Sequence, residues 1–414
     1  MKERSRKCSG GAIIFLCSLV YFVSYFARKD FAAVMVSMIG QGIIDKASGG
    51  FIGMGLFIAY GAGQLVSGYL GDRLKPATLI IFGLSTTAVC NALMPIAPSS
   101  AIMIPIWALN GFAQAMLWPP IVRILADNLD GERFVVANLI VTVAAHISTV
   151  ILYVYVPICL KYMDWQTVFY TAAAITLISL AIFALALARV TLAVPTQKDE
   201  KQPKVEQKEK KGLWALFAGA GIIPIFFAIV TMGFLRDGIE SWLPTLYNEA
   251  FGRSAEESIL VSAIVPVFSV ISISLITVVH KTRLFSNEAR GAMILFGAGA
   301  LVCIPLAVLI NFEMAALRLL CLVFATLVCA LMHAVNFLYI SCLPGKFAKH
   351  GRAATASGLC NACTYIGAAI SMYGIAAITE SSSWSVTVTV WAIIAGIGAV
   401  TSLLALPKFR KFIK

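Results

Sequence analysis

Apolar residues in this chain run in long, nearly unbroken stretches separated by short polar punctuation. Twelve stretches stand out, at 11–37, 51–72, 77–96, 101–125, 134–160, 167–190, 214–247, 257–280, 291–311, 314–342, 352–379 and 384–407, each end set to within about four residues. An α-helix needs about 20 apolar residues to cross the hydrocarbon layer of a bilayer, and every stretch meets that length or comes close to it. Backbone polar groups must pair internally in lipid, so isolated runs of this kind are predicted to be helices. The first is too long for the core of a secretory leader and has no small-residue cleavage site, so it is expected to remain as a membrane helix. The pattern breaks once, at Val190–Gly212 (VTLAVPTQKDEKQPKVEQKEKKG), which is polar, mixed in charge and proline-bearing, with no apolar period. The expected architecture is an all-α membrane protein of twelve transmembrane helices. Two pseudo-symmetric six-helix bundles, 1–189 and 213–414, are joined by a cytoplasmic linker, 190–212.

Composition agrees with that pattern. With 60% hydrophobic and 13% charged residues and a mean hydropathy of +0.89, an ordinary soluble domain is excluded. The formal charge of +12 invites a nucleic-acid reading, but its distribution argues against one. Of the 32 Lys and Arg, 25 fall at the two termini and at the connections after even-numbered spans, span ends included. The connections after odd-numbered spans hold only Lys46, Lys161 and Arg253, and four cations (Arg28, Lys29, Arg236, Arg318) lie inside spans. By the positive-inside rule both termini are cytoplasmic, in agreement with an even number of spans, and no nucleic-acid partner is expected. The ten cysteines lie almost entirely in apolar spans and form no disulfide framework. Cys360 and Cys363 have redox spacing, but their Ser/Ala/Gly-rich surroundings read as a close helix contact. There is no Walker loop, HExxH, dinucleotide fingerprint or serine elbow, so neither an enzyme nor a bound metal or cofactor is expected.

Chemistry is therefore sought among the polar residues inside the spans. Arg28 and Arg236 occupy corresponding places in the two halves, and an arginine keeps its proton throughout. Each costs about 2.5–3.5 kcal/mol near a helix centre, which suggests a cavity built to receive an anion. Lys29 follows Arg28 and points about 100° away, so one can face a pocket while the other snorkels or pairs with Asp30. Glu240 sits one turn beyond Arg236, with Asp237 adjacent, so a structural ion pair competes with the anion-site reading. His146 and His333 are intramembrane imidazoles, either packing residues or charge-responsive ones. Tyr21, Tyr25 and Arg28 share one helical face, as a lined pocket or an aromatic stripe would require. Gln64, Gln114 and Trp118 from the first half, and Asn336, Asn361 and Tyr365 from the second, complete the candidate lining.

Several tracts resemble one known family. Gly68-Tyr69-Leu70-Gly71-Asp72-Arg73-Leu74-Lys75 is similar to the GxxxDRxGRR loop of the major facilitator superfamily, in which Asp72 and Arg73 would form a conformational latch. Ala27-Arg28-Lys29-Asp30-Phe31-Ala32 resembles the VRKNFA of glycerol-3-phosphate transporters in the organophosphate:phosphate antiporter family. Gly111–Pro120 followed by Arg123 resembles their GWFQGMGWPP tract. Gly131-Glu132-Arg133 and Ala145-His146 are similar to the family's KERG and CAHN neighbourhoods. Leu235–Ile239 with Trp242, Pro244 and Thr245 resembles LRYGILDWSPTY. The resemblance implies that Arg28 and Arg236 grip phosphate with His146 nearby, and that a rocker-switch exchanges an organic phosphate for inorganic phosphate. Four positions depart from it. Gln64 stands where glycerol-3-phosphate members carry Lys, Asp30 replaces their Asn, and Asp237 and Glu240 add acids near Arg236.

The first expectation is a secondary transporter of a small anionic, phosphorylated metabolite working by antiport with inorganic phosphate. It would act as a monomer in a bacterial cytoplasmic membrane. A second reading keeps the fold and makes the chain a proton-coupled symporter of an organic carboxylate or sugar acid, with Asp30 or Glu240 carrying the proton. A third is a membrane sensor of sugar phosphate with little flux.

Overall fold

The computed structural model describes residues 9–71, 73–189, 213–280, 282, 284–312, 314–350 and 352–413. The linker and Asp72 lie outside the described residues. Among the described residues, twelve helical spans, some built of two consecutive helices, are long and apolar enough to cross a membrane, and they fall close to the twelve apolar stretches. Over the described residues the chain forms two compact units, Met1–Glu200 with Ala255–Pro266, and Lys201–Ser254 with Val267–Lys414.

The chain reads α1 (Gly10–Gly40), α2 (Lys46–Gly71), α3 (Pro76–Leu93), α4 (Ser100–Gln114), α5 (Trp118–Asn128), α6 (Gly131–Tyr162) and α7 (Trp165–Arg189). It continues with α8 (Leu213–Ala220), α9 (Ile222–Phe251), α10 (Ala255–Ser262), α11 (Ile264–Val279), α12 (Glu288–Leu309), α13 (Ala315–Asn336), α14 (Ala353–Ser381) and α15 (Trp384–Ile413). In the first unit α1 packs against α6 and α7, α2 against α4, and α3 against α7. In the second, α9 packs against α14, α15 and α13, and α12 against α15.

Four stretches expected as single helices are interrupted, each for a local reason. The fourth opens at Ala115–Leu117, where the amides of Met116 and Leu117 bond three residues back. The next helix starts at Trp118 because Pro119 and Pro120 have no amide hydrogen and are tolerated only in a first turn. The eighth is broken at Ala263 ahead of Pro266, whose ring collides with the carbonyl four residues earlier. In the tenth, Phe337–Cys342 widens into a π-helix and Leu343–His350 tightens into a 3₁₀ run around Pro344. The seventh was expected to begin at 214 but begins at Ile222. Gly221 adopts φ 71°, a left-handed conformation that ends α8 and restarts the chain as α9.

Close backbone approach fixes the tightest pairs. A Cβ at Gly111 on α4 would meet the Leu56 carbonyl of α2, and one at Gly367 on α14 would meet the Val230 carbonyl of α9. Small residues at such crossings let helices pack without a hydrophobic drive from lipid.

Candidate functional site

In the first unit the side chain of Arg28 lies among aromatic rings. Its guanidinium carbon is 4.3 Å from the Tyr25 ring centroid and 5.0 Å from that of Tyr60 on α2. Tyr25 is four residues from Tyr21, their rings meeting edge to face at 5.0 Å, and Tyr21 lies 4.7 Å from Trp118. His146 on α6 follows, 6.2 Å from Tyr25. Aromatic faces carry negative potential, so they hold a partly desolvated guanidinium without neutralising it. His146 Nδ1 lies 2.9 Å from the Thr142 carbonyl. A carbonyl only accepts, so this bond fixes the Nδ1–H tautomer and leaves Nε2 as the nitrogen able to take a further proton.

The backbone beneath Arg28 is held from two further helices. The Ala27 carbonyl accepts from Asn91 Nδ2 of α3 at 3.1 Å and from Asn110 Nδ2 of α4 at 3.0 Å. One and a half turns earlier, the Phe22 carbonyl accepts from Ser148 Oγ of α6 at 2.6 Å. Side chains from α3, α4 and α6 thus set the rotation and height of α1, and with them the position of Arg28.

In the second unit Arg236 of α9 is held by direct bonds. Its Nη1 donates to Asn336 Oδ1 of α13 at 2.6 Å, and its Nη2 lies 2.6 Å from Asp237 Oδ2. The Arg236 carbonyl accepts from Cys329 Sγ at 3.6 Å. The adjacent Asp237 makes an ion pair with Arg236 although the two point about 100° apart on the helix, because a long arginine can fold back across that surface. Glu240 is buried on the same helix.

Not every expected lining residue joins these groups. Gln114 is 1% exposed and its amide is committed to helix bridging: Oε1 accepts from Ser24 Oγ at 2.6 Å, and Nε2 donates to Thr87 Oγ1 at 3.3 Å. Asn361 donates to the Ser357 carbonyl of its own helix at 3.1 Å, one turn before the half-buried Tyr365. His333 is half-buried three residues before Asn336, and Gln64 is half-buried one turn beyond Tyr60. Asp30 is fully buried, with Oδ1 accepting from the Phe31 amide at 2.8 Å. Arg73 is exposed after α2, and its expected latch partner Asp72 lies outside the described residues. Sequence reasoning passed over Tyr60, Asn91 and Asn110. The rule that intramembrane polar residues are functional would have flagged the two asparagines. No group of three or more His, Cys, Asp or Glu able to hold a metal occurs among the described residues.

Comparison with known proteins bears on this arrangement. A family model described as Major Facilitator Superfamily matches residues 17–372. A "Probable hexose phosphate transport protein" of Chlamydia trachomatis is 34% identical over 113 residues, 27% of this chain and 25% of that protein. The glycerol-3-phosphate transporter of Bacillus subtilis is 30% identical over 252 residues, 56% of each chain. The matches therefore span from a quarter to just over half the length of these relatives. The crystal structure of the nucleoside transporter NupG superposes with a TM-score of 0.70 at 17% identity, covering 96% of this chain and 99% of that one. At such low identity the likeness concerns the fold.

Proposed function

Because this chain belongs to the major facilitator superfamily, in its organophosphate:phosphate antiporter-like part, we propose that it carries a small phosphorylated metabolite across the membrane in exchange for inorganic phosphate. The observation that carries this reading is Arg28, a permanent cation within an apolar span, set between the rings of Tyr25 and Tyr60. Such a cradle holds the charge in place, and the planar fork of a guanidinium matches the oxygens of a phosphate. Arg236, bonded to Asn336, is the corresponding cation of the second unit. A phosphate dianion would offset charge that is costly in a membrane, coupling reorientation to occupancy. Residues 1–189 and 213–414 are the two halves of a rocker-switch joined by residues 190–212. Tyr21, Trp118 and His146 accompany Arg28 in the first unit, and His333 and Tyr365 are the lining residues this reading assigns to the second. The setting is a bacterial cytoplasmic membrane, with both termini in the cytoplasm and one chain as the working unit.

Proteoliposomes loaded with phosphate test the proposal. Uptake of labelled phosphate driven by internal phosphate, lost in Arg28→Ala and in Arg236→Ala, is the expected result. Phosphate binding without counterflow would instead make the chain a sensor.

One observation favours a second reading. Asp237 already neutralises Arg236, which lowers the charge available to a dianion and suits a monoanionic carboxylate entering with a proton. Carboxylate uptake that follows a pH gradient and ignores phosphate would establish it in place of exchange.

A further inference from the structure

Three acceptor oxygens in the first unit are buried without a hydrogen-bond donor: Asp30 Oδ2 on α1, Asn91 Oδ1 on α3 and Asn110 Oδ1 on α4. All three residues are 0% exposed. The orientation of the carboxamides follows from their shared partner. The Ala27 carbonyl can only accept, and both Nδ2 groups donate to it, so turning either amide over would set two acceptors face to face. Asp30 lies three residues beyond Ala27 on the same face of α1. Its Oδ1 takes the Phe31 amide, the donor that an α-helix directs at the Ala27 carbonyl. A carboxylate and two carboxamides from three helices thus gather on one peptide carbonyl and the amide one turn later.

The hydrogen-bond count of this cluster does not close. It has three orphan acceptors against one uncommitted hydrogen: Asn91 Nδ2 spends both of its hydrogens on the Ala27 and Thr87 carbonyls, and Asn110 Nδ2 spends one on Ala27. Among the described residues Asp30 makes no ion pair. The charged neighbours on α1 are Arg28 and Lys29. From α3 and α4 the cluster meets Asn91, Asn110 and, through Phe31, Trp107, which in turn meets Phe169 of α7. The other titratable group beside it on α3 is Cys90. Tyr60 of α2 and His146 of α6 lie by Arg28 and Tyr25, and Arg123 and Asp127 of α5 pair with each other. Glu256 and Glu257 of α10 stand in that helix's first turn.

We propose that Asp30, Asn91 and Asn110 form a buried proton-binding site, in which Asp30 is carried as a neutral acid whose Oδ2–H donates to the carboxamide oxygen of Asn91 or Asn110. One proton turns an orphan acceptor into a donor, satisfies a second orphan and removes an unpaired charge from the interior. Release of that proton would place a negative charge two residues from Arg28 and lower the net charge that α1 offers an anion. The protonation itself does not depend on the transport reading; its coupling to anion binding rests on that reading.

Infrared spectroscopy of the purified full-length protein in lipid nanodiscs tests the site. The wild type at neutral pH should show a carbonyl stretch of a protonated, hydrogen-bonded carboxyl that is lost in Asp30→Asn. That variant, which mimics the neutral acid, should fold and melt like the wild type. Paired Asn91→Ala and Asn110→Ala substitutions should move the band as its hydrogen bond is lost; should they fail to fold, the comparison with Asp30→Asn still decides. Absence of the band, persistence of the band in Asp30→Asn, or its disappearance on adding sodium chloride would overturn the proposal, the last by making this a sodium site. If phosphate counterflow fails while the band is present and lost in Asp30→Asn, the exchange reading falls and the proton site stands.

Discussion

Arg236 and Asp237 are consecutive in sequence, yet their side chains meet at 2.6 Å with only 11% and 8% of their surfaces exposed. A buried arginine held by its own neighbour is partly satisfied before any substrate arrives. On the function proposed above, an incoming anion would compete with that carboxylate for Nη2 while Asn336 keeps Nη1.

Replacement of Asp237 by Asn should therefore tighten anion binding. A hydrogen bond to a charged group is worth about 1.5–3 kcal/mol, and 1.4 kcal/mol is a factor of ten, so the gain is about tenfold or more. Dianions should gain more than monoanions, since the removed charge repelled them more. Calorimetric titration with phosphate and with a singly charged analogue would measure both effects. An unchanged affinity for both would show that Asp237 does not compete for the anion.

The rings around Arg28 give a second test. Cation–π contacts range from about 0.5 to 2 kcal/mol as they become desolvated. Tyr25→Leu and Tyr60→Leu should each weaken phosphate binding by about 2- to 30-fold, while Tyr60→Phe, which keeps the ring, should change it little. If Tyr60→Phe is as damaging as Tyr60→Leu, the hydroxyl matters and the face does not.

Gln64 lies one turn from Tyr60, where similar transporters carry Lys. Gln64→Lys should strengthen phosphate binding, and the same titration reads the change. No change, or a loss with the fold intact, would mean that position 64 does not face the anion.

Much of this molecule was legible in its sequence because lipid permits so few backbone solutions. Apolar runs of spanning length could only be helices, and helices of that length are found at the twelve stretches. What could not be read was where helices break, since Gly221 and Pro266 resemble many glycines and prolines that leave a span intact. Arg28, Tyr25, Tyr21 and His146 were found because helical spacing and charge mark them. Tyr60 and the asparagine clamp on Ala27 were missed because they approach from other helices, which periodicity along one helix does not register. Gln114 looked like a pocket residue for the same reason: only packing reveals that it is committed to Ser24 and Thr87.

Close helix crossings should be the least tolerant positions outside the binding groups. Gly111→Val would drive a side chain into the Leu56 carbonyl, and backbone cannot turn aside as a side chain can. Overpacking costs about 1–3 kcal/mol where side chains can adjust, so a loss at or above that range is expected. Gly40, with open space around its Cβ, provides the control. Thermal unfolding in detergent should show a large drop for Gly111→Val and little change for Gly40→Ala. Equal melting temperatures would mean that α2 and α4 are not in close contact.

Asp45 offers a test of pH dependence outside the spans. It caps α2, its Oδ1 accepting from the Ser48 amide at 2.7 Å, and this amide together with the Ser48 hydroxyl holds its carboxyl below the usual range near 3.8. A carboxyl lowered on folding stabilises the folded state above its unfolded value and loses that contribution as pH falls through the folded value. Asp45→Ala should cost about 1 kcal/mol at neutral pH, as helix caps do. Asp45→Asn keeps an accepting oxygen and isolates the charge, which is worth a few tenths of a kcal/mol at so exposed a site. The small gap in melting temperature between wild type and Asp45→Asn should hold from pH 7 down to about 5 and close below about 4. The larger gap to Asp45→Ala should shrink over the same interval without closing, because a protonated carboxyl still accepts from Ser48. A gap that widened in acid would require Asp45 to be stabilised as the neutral acid, opposite to what its bonds to Ser48 dictate.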